Sequence, residues 1–289
     1  MTGGLQRRYA RTALLFITPA LVFFALFFYL PIGNVLATST MTGVRADQFV
    51  GLGNFSRALA DPTVRHSFLV TVGFTLGVTV GAVVLGLALA LLLNQNLRGR
   101  VLFRALLLVP HLTSVVVVGL MWRNILNPNF GILNRLLGSL GLPAQNWLTE
   151  SPLLTLIGVQ LWSQTGYVMV IFLAGLQGIP QMFHEAALID GAGAWRRFRH
   201  VTLPLLAPTT VFVSIMAVIG GLQMFGLPYL ITEGGPAGAT NLSILHVYRA
   251  AFDERNFGYA SAMSFLLLLV IVAVTVVQLR AGKKKEVTL

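Results

Sequence analysis

The sequence has no cysteine, three lysines and nine acidic residues in 289 positions. Without cysteine there are no disulfides, no thiolate nucleophile and no cysteine-based metal site. The lysines are Lys283, Lys284 and Lys285, followed by Glu286. A phosphate-binding P-loop needs Gly-Lys-Ser/Thr, so this chain cannot form one. Charge is also scarce: charged residues make up 10% of the chain, against roughly 25% in a soluble domain. Hydrophobic residues reach 56% and mean hydropathy is +0.80. A single core hiding that much apolar surface would outgrow a normal domain. A soluble enzyme, a fibrous repeat and a disordered chain are excluded, and the solvent for most of the protein is lipid.

Three further chemistries are missing. His184-Glu185-Ala186-Ala187-Leu188 starts like a zincin helix but carries leucine where the second histidine ligand belongs. His66, His111, His184, His200 and His246 have no metal-ligand spacing. Gly191-Ala192-Gly193 lacks the third glycine and the preceding strand of a dinucleotide fingerprint. Work against a gradient would therefore draw its energy from a partner or an ion.

Six apolar stretches are long enough for a hydrocarbon layer of about 30 Å, which takes about 20 residues. They are 13–32, 68–93, 101–122, 153–176, 205–231 and 259–279, and none contains Asp, Glu or Lys. The first is too long for a signal-peptide core and no small-residue cleavage site follows it, so it reads as a retained span. Arg104 and His111 are the ionisable residues at membrane depth. Arg104 can snorkel to the near surface, and His111 reads as a packed, neutral histidine. Gly73, Gly77 and Gly81 repeat G-x-x-x-G, which lets a neighbouring helix approach closely. Pro19, Pro31, Pro110, Pro208 and Pro228 mark positions where a membrane helix can kink.

The net charge of +11 would suggest nucleic acid in a soluble chain. Here the basic residues lie beside the spans, where the positive-inside rule and anionic headgroups favour them. With both termini inside, the inner segments hold Arg7, Arg8, Arg11, Arg98, Arg100, Arg104, Arg196, Arg197, Arg199, Arg280 and the three lysines. The longer outer loops hold Arg45, Arg57, Arg65, Arg123, Arg135, Arg249 and Arg255. The expected organisation is an all-α polytopic membrane protein: a cytoplasmic tail (1–12), a six-span domain (13–280) and a basic cytoplasmic tail (281–289). The connection 177–204 falls on the cytoplasmic side.

That connection carries the most information. Pro180 suits the first position of a helix, Glu185-Ala186-Ala187-Leu188 favours helix, and Gly191 is the expected left-handed stop. The result is a helix of about ten residues ending sharply. Ala194 to His200 then places Trp195 and Phe198 on one face with Arg196, Arg197 and Arg199 elsewhere, the pattern of an interfacial helix.

Glu185-Ala186-Ala187, Gly191, Val201 and Leu203-Pro204 resemble the E-A-A-x3-G-x9-I-x-L-P pattern of permease subunits of binding-protein-dependent ABC importers, with valine in place of isoleucine. The likeness continues in Gly51-Leu52-Gly53-Asn54-Phe55, Asp61-Pro62, Asn127-Pro128, Phe130-Gly131, Leu133-Asn134, Gly234-Gly235-Pro236 and Phe257-Gly258-Tyr259-Ala260. These are similar to the carbohydrate-uptake branch, the maltose-permease first subunit and its six-span glycerol-phosphate and multiple-sugar relatives. The resemblance implies the type I importer permease fold in a bacterial inner membrane. It also implies a second permease subunit, two copies of a cytoplasmic ABC ATPase that bind ATP and Mg, and an extracytoplasmic solute-binding protein. No cofactor is implied for this chain and no catalysis. Glu185, Ala186, Ala187, Asp190, Gly191 and Pro204 would couple to the ATPase, and 232–236 would reach toward the binding protein.

For the cargo, the fourth span holds Gln160, Trp162, Ser163, Gln164 and Tyr167 in an otherwise apolar helix. Such side chains must face a partner helix or a wet cavity, and amides, hydroxyls and aromatic faces suit a sugar. The resemblance places the substrate path at Ser163, Gln164 and Tyr167, and at Gly221, Gln223 and Met224. Glycerol-3-phosphate or a glycerophosphodiester is the alternative cargo. An ion-coupled secondary transporter would need carboxylates at membrane depth, and a membrane enzyme would need clustered catalytic residues. The sequence offers neither.

Overall fold

The computed structural model describes residues 2–43 and 47–283. Arg45, Lys284, Lys285 and Glu286 lie outside the described residues, as do the side chains of Arg7, Arg8, Arg11 and Lys283. Two compact units are present: Met1–Asp61 with Val247–Leu268, and Pro62–His246 with Leu269–Leu289.

In the first unit, α1 (Thr12–Ser39) is the N-terminal span. Its winding loosens to a π-helix at Ala25–Tyr29, just before Pro31. Proline has no N–H and its ring crowds the carbonyl four residues back, and the wider turn accommodates both effects. After α1, Met41–Thr42 pairs antiparallel with Gln48–Phe49, and α2 (Gly53–Ala60) follows. The Asn54 side-chain amide donates to the carbonyls of Ser39 at 2.9 Å and Met41 at 2.7 Å. It thereby satisfies the Ser39 carbonyl that the helix end leaves open and ties it to the Met41 carbonyl of the following strand. A Cβ at Gly258 would collide with the Met41 carbonyl, so only glycine fits there.

The second unit is built on α3 (Pro62–Leu93), the longest straight helix. One bent pair follows in the chain, α4 (Arg100–Leu112) with α5 (Val115–Ile125). Next come α6 (Ile132–Ser139), α7 (Pro152–Gln177) and α8 (Gln181–Ile189). They are followed by α9 (Ala194–Leu205), α10 (Ala207–Leu222) and α11 (Ser243–Tyr248), which ends in the first unit. The last helix, α12 (Phe257–Lys283), begins in the first unit and ends in the second.

The glycine stripe of α3 receives α7. Gly73, Gly77 and Gly81 face Leu153, Ile157 and Leu161, and a Cβ at the last two would sit 2.7 and 2.6 Å from those side chains. Lipid supplies no hydrophobic drive between helices, so this close interlocking is the source of the attraction. Phe74, Val78, Leu156 and Val159 form one core on this seam. Ala82, Ala90, Met169 and Phe172 form the other.

Four helices are long and apolar enough to cross a membrane, or six if each bent pair is one span. The expected spans 101–122 and 205–231, in which Pro110, Pro208 and Pro228 mark positions for a kink, are both broken. In the first, α4 and α5 diverge by 96°. Pro110 removes one N–H from the last turn of α4, Thr113 is extended, and the Ser114 hydroxyl accepts from the Val116 N–H at 3.4 Å to start α5. In the second, α9 and α10 differ by 64°, with Pro204 and Pro208 on either side of the bend at Leu206. Helix α10 then stops at Leu222, and helical winding resumes at Gly226 and runs to Thr232. Gly226 faces Val115, and Gly119 faces Leu230. The resumed segment therefore packs on α5, bringing together the second halves of both broken helices.

The connection after α5 is organised by Asn134, which is buried. Its amide donates to the carbonyls of Pro128 and Gln145 at 3.1 and 3.0 Å. Its oxygen accepts from the Gln145 N–H and the Trp147 indole N–H at 3.2 and 2.9 Å.

Candidate functional site

Helix α8 begins at Gln181, one residue later than expected, with Pro180 at its N-cap and not at the first helical position. Its end is a full Schellman motif. The Ala192 N–H donates to the Ala187 carbonyl at 2.9 Å and the Gly191 N–H to the Leu188 carbonyl at 3.0 Å, with Gly191 at φ +73. These bonds satisfy two carbonyls that would otherwise be open and hold the turn in one geometry. A Cβ at Gly191 would meet nothing within 4 Å, so backbone conformation alone selects glycine there.

Glu185, Ala186 and Asp190 are exposed on α8, and Ala187 is half-buried. The Glu185 carboxylate accepts from the Gln181 side-chain amide at 2.8 Å, one turn earlier. Ile189 is 87% exposed, and Met182 and Leu188 are also uncovered. A short, sharply terminated helix thus presents a carboxylate and an apolar face together. Pro204 stands on α9, exposed, one turn before α10.

On α7, Gln160, Ser163, Gln164 and Tyr167 recur at helical spacing and make one polar stripe. The Gln160 amide donates to the Gln164 oxygen at 3.0 Å. The Gln164 amide nitrogen is buried and has no partner among the described residues. The Tyr167 ring stacks on His111 with centroids 4.5 Å apart and planes 13° apart. His111, expected to be packed away, is exposed around that stack at the end of α4. It therefore extends the stripe onto a second helix.

The three residues taken from the fifth span separate. Gly221 is a packing position, buried so closely on Thr75 of α3 that a Cβ would lie 2.8 Å from its hydroxyl. Met224 packs against the core of Phe74, Val78 and Leu227. Gln223 is exposed at the break after α10. Sequence reasoning missed the aromatic pair just beyond it, Phe225 and Tyr229, stacked at 5.1 Å. Their four-residue spacing across Pro228 was the available signal. Arg104 does not line this stripe. Its Nη2 donates to the Leu93 carbonyl at 2.7 Å, where a cation suits the negative end of α3.

The sequence of this chain matches, over residues 82–285, the family described as binding-protein-dependent transport system inner membrane component. The chain belongs to that family. This permease is a multi-pass protein of the inner membrane. It is 35% identical to the trehalose/maltose transport system permease protein MalF of Thermococcus litoralis, covering 98% of this chain and 97% of that one. It is 34% identical to the sn-glycerol-3-phosphate transport system permease protein UgpA of Agrobacterium fabrum, covering 94% of each. Its fold matches a crystal structure of a bacterial alginate ABC transporter in complex with alginate pentasaccharide-bound periplasmic protein. The TM-score is 0.81 at 20% identity, over 95% of this chain and 94% of that one. At that identity the likeness concerns the fold, which is the all-α type I ABC importer permease fold.

Proposed function

We propose that this permease forms half of the path for a carbohydrate handed over by an extracytoplasmic binding protein, and that α8 couples it to a cytoplasmic ATPase. The observation that carries the coupling is the Schellman-ended α8, with Glu185 and its apolar face uncovered. A lever must be short, stiff and fixed at its end, and Gly191 supplies the fixed turn. Glu185 would meet a basic group of the ATPase, Ala186 and Ala187 allow close approach, and Asp190, Gly191 and Pro204 hold the geometry. ATP and Mg would bind on the two ATPase copies and not on this chain, which acts as a non-catalytic subunit beside a second permease. Both termini and the loop 177–204 would face the cytoplasm.

The cargo would pass the stripe of Ser163, Gln164 and Tyr167 and the exposed Gln223, with Gly221 and Met224 shaping the wall behind. The unpartnered Gln164 amide supports this, because a buried polar group needs a partner and a sugar hydroxyl can be one. Glycerol-3-phosphate or a glycerophosphodiester is the second reading, favoured by the 34% identity to the glycerol-phosphate permease.

An ATPase-stimulation screen on the assembled complex would test this. The cognate binding protein would be loaded in turn with di- and oligosaccharides and with glycerophosphodiesters. Stimulation by a sugar is expected. Stimulation by the phosphodiesters alone would transfer the function to the second reading, and vanadate-insensitive, uncoupler-sensitive uptake would contradict both.

A further inference from the structure

Helix α9 carries a second pattern, of which the coupling role uses only Pro204. Arg196, Arg199, His200, Leu203 and Pro204 recur at i, i+3, i+4, i+7 and i+8, and all five are exposed. One face of α9 is therefore cationic at its start and apolar at its end. The apolar end opens into a groove of about 480 Å³ lined by Leu203, Pro204, Ala207, Thr210 and Val211. The groove lies at the 64° bend between α9 and α10, with lining residues on both helices, and Gly282 of α12 lies against Val211 beside it.

The charge of this face is uncompensated. From Gly191 to Thr232 the chain has no Asp or Glu, and Arg196 and Arg199 form no ion pair with any described residue. Trp195 is also exposed, its ring 5.6 Å from that of Phe198, an aromatic pairing suited to the headgroup layer.

We propose that the elbow between α9 and α10 is a binding site for an anionic phospholipid. The Arg196 and Arg199 guanidiniums take the phosphate, and one acyl chain fills the groove from Leu203 to Val211. Basic pockets beside membrane helices recognise such headgroups, and planar guanidinium matches phosphate geometry. A free phosphate would leave the apolar groove empty. A protein partner would meet two arginines and a narrow groove rather than a broad apolar face. The site goes beyond the transport role and does not depend on which cargo is carried.

The test is native mass spectrometry of the assembled transporter taken from phosphatidylcholine vesicles containing phosphatidylglycerol. The intact complex should retain phosphatidylglycerol in preference to phosphatidylcholine, and excess inorganic phosphate should not displace it. R196Q/R199Q should weaken that retention roughly tenfold or more, with the ATPase subunits still bound. A207F, which blocks the groove and leaves both charges, should also lose the lipid. If A207F fails to assemble, the surface variant R196Q/R199Q decides alone. Equal retention of both lipids, or unchanged retention in R196Q/R199Q, overturns the site. Displacement by phosphate reduces it to a free-anion site, and loss of the ATPase in R196Q/R199Q reassigns the arginines to a protein contact. Either result also contradicts the proposal.

Discussion

The Tyr259 hydroxyl donates to the Asp61 carboxylate at 2.8 Å across 198 residues of sequence. Tyr259 is buried, and the Arg57 guanidinium lies over its ring at 4.4 Å. The end of α2 is thus tied to the start of the last helix. Tyr259→Phe removes a hydrogen bond to a charged acceptor, worth about 1.5–3 kcal/mol. Thermal unfolding of the detergent-purified complex should show that loss. A melting curve superimposable on the parent would contradict the tie.

Helix α7 contains an internal comparison between two glycines. A Cβ at Gly166 would collide with the backbone carbonyl of Leu107 in α4, whereas a Cβ at Gly158 would meet nothing within 4 Å. Gly166→Ala should therefore destabilise by at least the ~1–3 kcal/mol typical of overpacking, since a backbone carbonyl cannot rotate away. Gly158→Ala should be neutral or slightly stabilising, by up to about 1 kcal/mol. Equal effects in the two variants would contradict the packing of α4 on α7.

The polar stripe makes a prediction for uptake. Tyr167→Phe keeps the ring that stacks on His111 and should keep most transport, while Tyr167→Ala should not. Gln164→Leu removes the amide proposed to meet the cargo and should raise the half-saturating concentration about tenfold, the scale of one lost hydrogen bond. Initial rates against loaded binding protein would measure this. Unchanged half-saturation in Gln164→Leu would remove the stripe from the path.

Helix α8 could be read from the sequence almost to the residue, because its ends are set locally: Pro180 before it, Gly191 after it, and good helix formers between. The packing role of Gly73, Gly77 and Gly81 was readable for a similar reason, since absent side chains leave a visible stripe. The prolines marked kinks in the third and fifth spans, but the size of the breaks could not be read. Hydropathy records how apolar a stretch is, not the direction its axis takes, and the turn at Thr113–Ser114 is hidden in a run that stays apolar on both sides. Ser114 as an N-cap, four residues after Pro110 and three after His111, was a further clue. The stack of His111 on Tyr167 and the bond from Tyr259 to Asp61 are long-range pairings that no single-sequence period encodes.

The central claim is that a fixed left-handed turn at Gly191 makes α8 a lever. It is tested most directly by binding-protein-dependent, ATP-driven uptake into proteoliposomes carrying the full complex with Gly191→Asn or Gly191→Val. The Cβ of either side chain would meet nothing within 4 Å at this position, so the two variants are compared on how well they tolerate φ +73. Asparagine adopts that conformation readily and a β-branched residue does not. The account predicts near-parental uptake with asparagine, and with valine a loss of uptake accompanied by uncoupled or absent ATPase stimulation. Parental uptake by the valine variant would contradict it.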